Sequence, residues 1–194
     1  MWVVGIVLGS ILGWLGAKYP RTIGTFSWVI AFLLSGVPVL VFLFWLHYPA
    51  QSMFNVVIDP FYTASLTFTV INLFAVSELV RVHVSEFPQQ YLLAARVCGL
   101  TQFQTVTRIV LPIILRQILP GLLMLQVTML HITLFASLIS VEELFRIAQR
   151  INSFIYKPVE IYTALGLFFL AVSLPLNGLA LWMKRRFTRN LSEK

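Results

Sequence analysis

The chain has 194 residues, of which 59% are hydrophobic and 11% charged, with a mean hydropathy of +0.88 and a formal net charge of +7 at pH 7. Soluble domains carry about a quarter of charged residues, so this composition excludes a soluble globular domain and points to an integral membrane protein. The single cysteine, Cys98, excludes an internal disulfide and any multi-cysteine metal site within one chain.

Met1 leads straight into an apolar run over residues 2–17. No basic segment precedes it and no cleavage site follows, so it reads as a spanning helix and not a signal peptide. Gly5, Gly9 and Gly13 recur four apart along it, a small-residue stripe suited to close contact with another helix of this chain or of a second subunit. Further apolar runs at 26–46, 61–80, 113–139 and 162–183 are each long enough to span a bilayer, which takes about 20 residues. The short alternating segments of a membrane barrel do not occur. The pattern predicts an all-α integral membrane protein with five transmembrane helices in a single domain, 1–194. Glu78 and Arg81, near the end of the third run, read as a local ion pair.

Between the third and fourth runs lies a polar, basic loop, about 86–112, which contains "AARVCGLTQFQTVTRIVLP". Pro88 precedes good helix formers from Gln89 to Cys98, and Gly99 falls where a helix ends on a left-handed residue. Thr101 is placed to cap a second helix, whose apolar positions Phe103, Val106, Ile109 and Val110 recur at helical spacing. Leu111-Pro112 is expected to close that element where the fourth span begins. Ala94 and Ala95 offer a surface without bulk. Pattern alone leaves two readings: a docking element for a closely packing partner, or an interfacial helix–turn–helix lying on lipid.

In the fourth run Gln126, Thr133 and Ser137 share a helix face, and His131 follows Thr128 by three residues on a neighbouring face. Polar groups inside a membrane mark candidate pathways, so Gln126, Thr128, His131 and Thr133 are candidate solute contacts. The alternatives are a histidine bonded to backbone or to a nearby Ser or Thr, and hydroxyls that only pack. Next comes "SVEELFRIAQRI" (140–151), where Ser140 and Glu143 form a capping-box pattern opening an amphipathic helix. Glu142, Arg146 and Arg150 on it are either docking contacts or partners in local Glu–Arg pairs.

Charge orients the spans. Eleven of the fourteen Lys and Arg fall on one side: Lys18 and Arg21, then Arg81, Arg96, Arg108 and Arg116, then Lys184, Arg185, Arg186, Arg189 and Lys194. The other side has Arg146, Arg150 and Lys157. The positive-inside rule places the N-terminus outside and the C-terminus in the cytoplasm. The excess charge therefore reads as topology and attraction to anionic lipid, not as nucleic-acid binding.

These segments resemble the membrane permease subunits of ATP-binding-cassette (ABC) importers of the polar amino acid type, the histidine/lysine/arginine/glutamine permease-like family. The family's cytoplasmic signature is E-A-A, three residues, G, nine residues, I-x-L-P. Ala94-Ala95, Gly99 and Ile109-Val110-Leu111-Pro112 fall at those spacings. "FLLSGVPVLVFLF" (32–44) is similar to the family's R-G-T-P-L-L-V-Q segment, "SELVR" (77–81) to its A-E-I-F-R, and "KPVEIYTALGLFFLAVSLP" (157–175) to its R-P-F-E-x-Y run. There are departures: Leu93 stands in place of the signature Glu, Ser35 and Phe42 replace Arg and Gln, and Val82-His83 replace two glycines. His131-Ile132-Thr133-Leu134 stands where relatives commonly read K-D-T-S.

The resemblance implies the type I ABC importer permease fold, with Leu93, Ala94, Ala95, Gly99 and Leu100 in a coupling helix that docks on a cytoplasmic ABC ATPase dimer. It implies no cofactor in this chain, with ATP and Mg on the partner. It also implies a second permease copy or paralogue, an external or periplasmic solute-binding protein near Glu142, Arg146 and Arg150, an amino acid substrate such as a basic one, and the bacterial inner membrane. In keeping with this, no G-x-x-x-x-G-K-[ST] occurs in the chain. A divergent, non-transporting subunit with a sensing or scaffolding role stays open. So does a membrane-embedded hydrolase using His131 or His83, although no nucleophile–base motif and no H-E-x-x-H is present.

Overall fold

A computed structural model describes residues 1–188; Arg189 and Lys194, counted above in the basic tail, lie outside the described residues. Helix α1 (Trp2–Lys18) is followed by a π-helical turn, Pro20–Gly24, and then by α2 (Thr25–Gly36) at 120° to α1. Pro20 opens the turn, where its missing N–H has no partner to lose. Pro38 ends α2: it forces the preceding Val37 out of the helical region, to φ −100 and ψ 124. The chain resumes as α3 (Val39–His47) and the short α4 (Pro49–Met53). The Asp59 carboxylate then caps α5 (Pro60–Ser85), accepting from the Phe61 N–H at 2.8 Å.

Helix α5 is the spine, with Thr63, Thr67, Asn72, Val76, Ser77 and Val80 among its buried residues. The glycine stripe of α1 lies directly on it. A Cβ at Gly9 would come 2.5 Å from the Leu73 carbonyl oxygen, and one at Gly13 would come 2.4 Å from that of Ser77. The stripe therefore serves a contact within the chain, not with a second subunit.

The short α6 (Gln89–Val97) follows α5. After the turn at Gly99 come α7 (Gln102–Thr105), a π turn (Val106–Val110), α8 (Leu111–Ile132) and a 3₁₀ segment (Thr133–Ile139), which run on as one 38-residue helix. Leu111-Pro112 thus does not close an element, contrary to the sequence expectation. The wider π turn sits immediately before Pro112, where the proline ring and missing N–H disfavour regular α-helix. Helices α9 (Leu144–Ile155) and α10 (Pro158–Thr188) complete the described fold.

Two apolar clusters hold the bundle. Leu43, Ala64, Phe68, Ala136 and Ile139 pack at the α9 end, and Val76, Val80, Phe87, Ile114 and Ile118 at the α6 end. The outer faces stay apolar, as in Val3 (74% exposed) and Phe26 (65%), which suits lipid as the surrounding solvent.

Three helices are long and apolar enough to cross a membrane, Pro60–Ser85, Gln102–Ile139 and Pro158–Phe187; the bent pair of α1 and α2 makes up to four. The expected five spans are not reached by this measure. Helix α1 has only 17 residues, and the apolar run 26–46 is cut at Val37-Pro38.

Candidate functional site

The turn after α6 is built from backbone. Gly99 takes φ 71. The Leu100 N–H donates to the Ala95 carbonyl and the Gly99 N–H to that of Arg96, each at 3.0 Å. These two bonds satisfy the last helix carbonyls in the reversed pattern that a left-handed residue permits. Thr101 and Gln104 then form a capping box: the Gln104 N–H donates to Thr101 Oγ1 at 3.3 Å, and the Thr101 N–H donates to Gln104 Oε1 at 3.0 Å. Ala95 is buried and Leu100 half-buried, whereas Leu93, Ala94 and Gly99 are exposed. Val97 (88% exposed) and Phe103 (77%) flank the turn. The result is a stiff turn with an apolar rim at one end of the bundle.

A groove of about 820 Å³ opens between α2, α5 and α8, walled by apolar side chains such as Trp28, Phe32 and Phe74. Its polar lining is Ser35, Glu78 and Thr128. The Ser35 hydroxyl donates to the Phe32 carbonyl at 2.8 Å, and that of Thr128 to Met124 at 3.1 Å. Glu78 and Arg81 form the expected pair, in bidentate form at 2.6 and 2.9 Å. The sequence marked Ser35 only as a departure from the family pattern and assigned Glu78 to the ion pair with Arg81 in preference to a solute site; neither was placed in a groove.

The other candidate path residues point elsewhere. Gln126 Nε2 donates to Asn72 Oδ1 at 3.0 Å, and Asn72 Nδ2 donates back to Gln126 Oε1 at 3.4 Å, tying α8 to α5. Asn72 is fully buried, and a Cβ at Gly5 would come 2.6 Å from its Nδ2. His131 Nε2 is hydrogen-bonded to Ser173 Oγ on α10 at 2.8 Å, with its ring edge-on to Phe169. The Thr133 hydroxyl donates to Leu130 at 2.6 Å. Gln126, Thr128, His131 and Thr133 therefore do not converge. Asn72 went unremarked in the sequence, although a lone amide inside an apolar run was the available signal.

At the opposite end, Ser140 does not cap α9. Its φ is 72, and the N–H groups of Ser140 and Val141 fold back to Ser137 and Ala136 at 3.2 and 3.1 Å, finishing the long helix. Glu143 is the cap instead, accepting from the Phe145 N–H at 3.1 Å. Partial burial pushes its carboxyl above the ordinary value, against the pull of the Phe145, Arg146 and Leu144 N–H groups. Glu142 pairs with Arg150 and, at 3.8 Å, with Arg146, which also donates to the Ser137 carbonyl.

Among the described residues no group of three or more His, Cys, Asp or Glu could hold a metal ion. The groove is an apolar cleft between membrane helices with two hydroxyls and one paired carboxylate, the kind of lining along which a solute path can run. Over residues 5–189 the chain matches the binding-protein-dependent transport system inner membrane component, and it belongs to that family.

The glutamine transport system permease protein GlnP of Escherichia coli K12 is 28% identical over 192 residues, covering 95% of this chain and 86% of that protein. The octopine transport system permease protein OccM of Rhizobium meliloti is 30% identical over 172 residues, covering 81% and 70%. The histidine/lysine/arginine/ornithine transport system permease protein HisQ of Salmonella typhimurium is 27% identical over 197 residues, covering 94% and 86%. Among solved structures, an amino acid ABC transporter determined with histidines aligns with a TM-score of 0.78 at 22% identity, covering 95% of this chain and 88% of that one. An inward-facing MetNI methionine ABC transporter aligns at 0.71 and 17% identity, covering 96% and 88%. The fold is that of an ABC importer permease, and the chain is a multi-pass permease subunit.

Proposed function

We propose that this chain is one half of a permease pair that passes a polar amino acid into the cytoplasm, driven by a separate ATPase dimer and supplied by an external solute-binding protein. The observation that carries this is the Gly99 turn, a stiff, exposed, apolar-rimmed reversal joined without a break to a helix that runs the depth of the bundle. Leu93, Ala94, Ala95, Gly99 and Leu100 make the joint with the ATPase, where ATP and Mg are held. The amino acid class is supported by what the named relatives transport.

The solute path follows the groove, with Thr128, Ser35 and Glu78 as its polar contacts. Gln126, His131 and Thr133 brace the wall behind it. Glu78 is the acidic group available to a cationic side chain, in exchange with Arg81. The five spans are α1, α2 with α3, α5, the Gln102–Ile139 helix and α10. At 1.5 Å per residue α1 reaches about 26 Å, close to the roughly 30 Å hydrocarbon core. The charge asymmetry supports a cytoplasmic α6 end and an external α9 end. There the Glu142, Arg146 and Arg150 cluster faces the solute-binding protein.

The test is reconstitution with the ATPase and solute-binding protein of the same importer, followed by tracer uptake over a panel of amino acids. ATP-dependent accumulation of at least one polar amino acid is expected. A fully assembled complex that accumulates none would leave the chain a non-transporting subunit.

A further inference from the structure

A second cavity, of about 450 Å³, lies at the α6 end between α5, α8 and α10. Its volume is in the range of small-molecule sites, about 300–1,000 Å³. Its lining changes character along its length. Glu86 just past the end of α5, Arg116 in the second turn of α8 and Lys184 near the end of α10 line it at the α6 end. Pro120, Gly121 and Met124 line it further along α8, toward the middle of the bundle. The distance along α8 from Arg116 to Met124 is about 12 Å at 1.5 Å per residue. One end is therefore charged and the other apolar.

The charges are of both signs and unspent. None of Glu86, Arg116 and Lys184 joins an ion pair among the described residues. His83 Nδ1–H donates to the Leu79 carbonyl at 2.8 Å, which leaves Nε2 able to accept. A bare anion would meet Glu86, and a bare cation would meet Arg116 and Lys184. A group that carries both signs satisfies all three.

A soluble zwitterion would fill only the charged end, so the apolar stretch beyond it calls for an occupant with an apolar part. The surroundings offer such a part a track. Leu115 and Leu119, each one position before Arg116 and Pro120, are exposed on the adjoining face of α8. On α10 the Arg186 guanidinium lies over the exposed Trp182 ring, 5.2 Å from its centre. Tryptophan with a cation beside it is typical of the headgroup level of a bilayer.

We infer that this cavity is a lipid site, which takes the phosphodiester and primary ammonium of phosphatidylethanolamine. The phosphate lies on Arg116 and Lys184, the ammonium on Glu86, and an acyl chain along Leu115 and Leu119. Basic pockets between membrane helices hold lipid headgroups through phosphate; the carboxylate at this one selects a headgroup that also brings an ammonium. Free O-phosphoethanolamine carries the same two charged groups and is the other source of such a ligand. The site needs only a bilayer around these helices, whatever solute they carry.

The experiment measures binding of radiolabelled dioleoyl-phosphatidylethanolamine to the assembled, delipidated transporter in detergent, displaced by unlabelled competitors. Unlabelled phosphatidylethanolamine should displace the tracer at about tenfold lower concentration than phosphatidylglycerol, which lacks the ammonium, or phosphatidylcholine, whose ammonium has no N–H to donate. In Glu86→Gln the phosphatidylethanolamine and phosphatidylglycerol curves should coincide. Arg116→Gln and Lys184→Gln should each raise the phosphatidylethanolamine needed about tenfold, and Lys184→Gln carries the test alone if Arg116→Gln fails to assemble. Lys157→Gln, beside the other end of α10, should leave every curve in place.

Wild-type curves that coincide for the three lipids overturn the inference, as does a preference for phosphatidylethanolamine that survives in Glu86→Gln. Phosphatidylglycerol as the best competitor overturns the role of Glu86 and leaves a site for anionic lipid. Displacement by O-phosphoethanolamine at the concentration at which phosphatidylethanolamine acts overturns the lipid as ligand in favour of a soluble phosphate ester.

Discussion

Gly99 holds φ 71 with open space where a Cβ would stand, so any side chain there is opposed by backbone conformation and not by crowding. Gly99→Val should therefore distort the turn, at roughly 1–3 kcal/mol, while the permease still inserts and assembles. The expected outcome is collapse of substrate-stimulated ATP hydrolysis; stimulation at the wild-type level in an assembled mutant would refute the joint. A second pair of substitutions separates the groove from its walls. Thr128→Val removes a hydroxyl from the groove and should weaken apparent uptake affinity several-fold, the worth of one hydrogen bond near 1 kcal/mol. His131→Leu leaves Ser173 without its partner. It should lower the melting temperature of the purified permease and keep the concentration dependence of uptake. The opposite result, altered affinity with unchanged stability, would put His131 back on the path.

The packing of α1 on α5 turns on three missing side chains. Gly9→Ala places a methyl 2.5 Å from a carbonyl oxygen and 2.8 Å from Val76 Cβ, so the helices must part. A loss of about 1–3 kcal/mol is expected, measured as thermal loss of monodispersity in detergent. Gly166→Ala meets nothing within 4 Å and is the tolerated comparison; equal behaviour of the two would deny the contact. The small-residue spacing was plain in the sequence, but its partner was not, because Leu73, Val76 and Ser77 carry no mark of the face they turn. Much of the joint was legible in the same way. Gly99 and Thr101 announce a helix end and a helix start through local chemistry, and both are found there. What escaped were features set by competition between neighbours. Pro112 looked like a terminator, yet a π turn absorbs it. Ser140 and Glu143 had capping-box spacing, yet the end of the long helix claims Ser140 first. The candidate site was only partly legible for a related reason. The fourth run advertised its own polar residues, whereas the groove draws one wall from each of three helices that are distant in sequence.

Viewed whole, the molecule has two unlike ends, and its exposed Cys98, the sole cysteine, sits in the turn at one of them. In intact cells an impermeant thiol reagent should miss Cys98, and it should reach a Ser52→Cys in a Cys98→Ser background. In inside-out vesicles Cys98 should react, and assembly with the ATPase should shield it. The reverse pattern would invert every loop. The unbroken helix from Gln102 to Ile139 gives this polarity a mechanical meaning. It is tied near Gln126 to the α5 spine, about 36 Å from its tip at the α6 end and about 20 Å from its tip at the α9 end. A stiff bar pinned off-centre behaves as a seesaw with unequal arms. In the proposed importer, a pull on the α6-end tip should swing the α9-end tip the other way, through little more than half the distance. On that proposal the two mouths need no signal between them to avoid being open together, because the protection against leakage lies in the continuity of one helix.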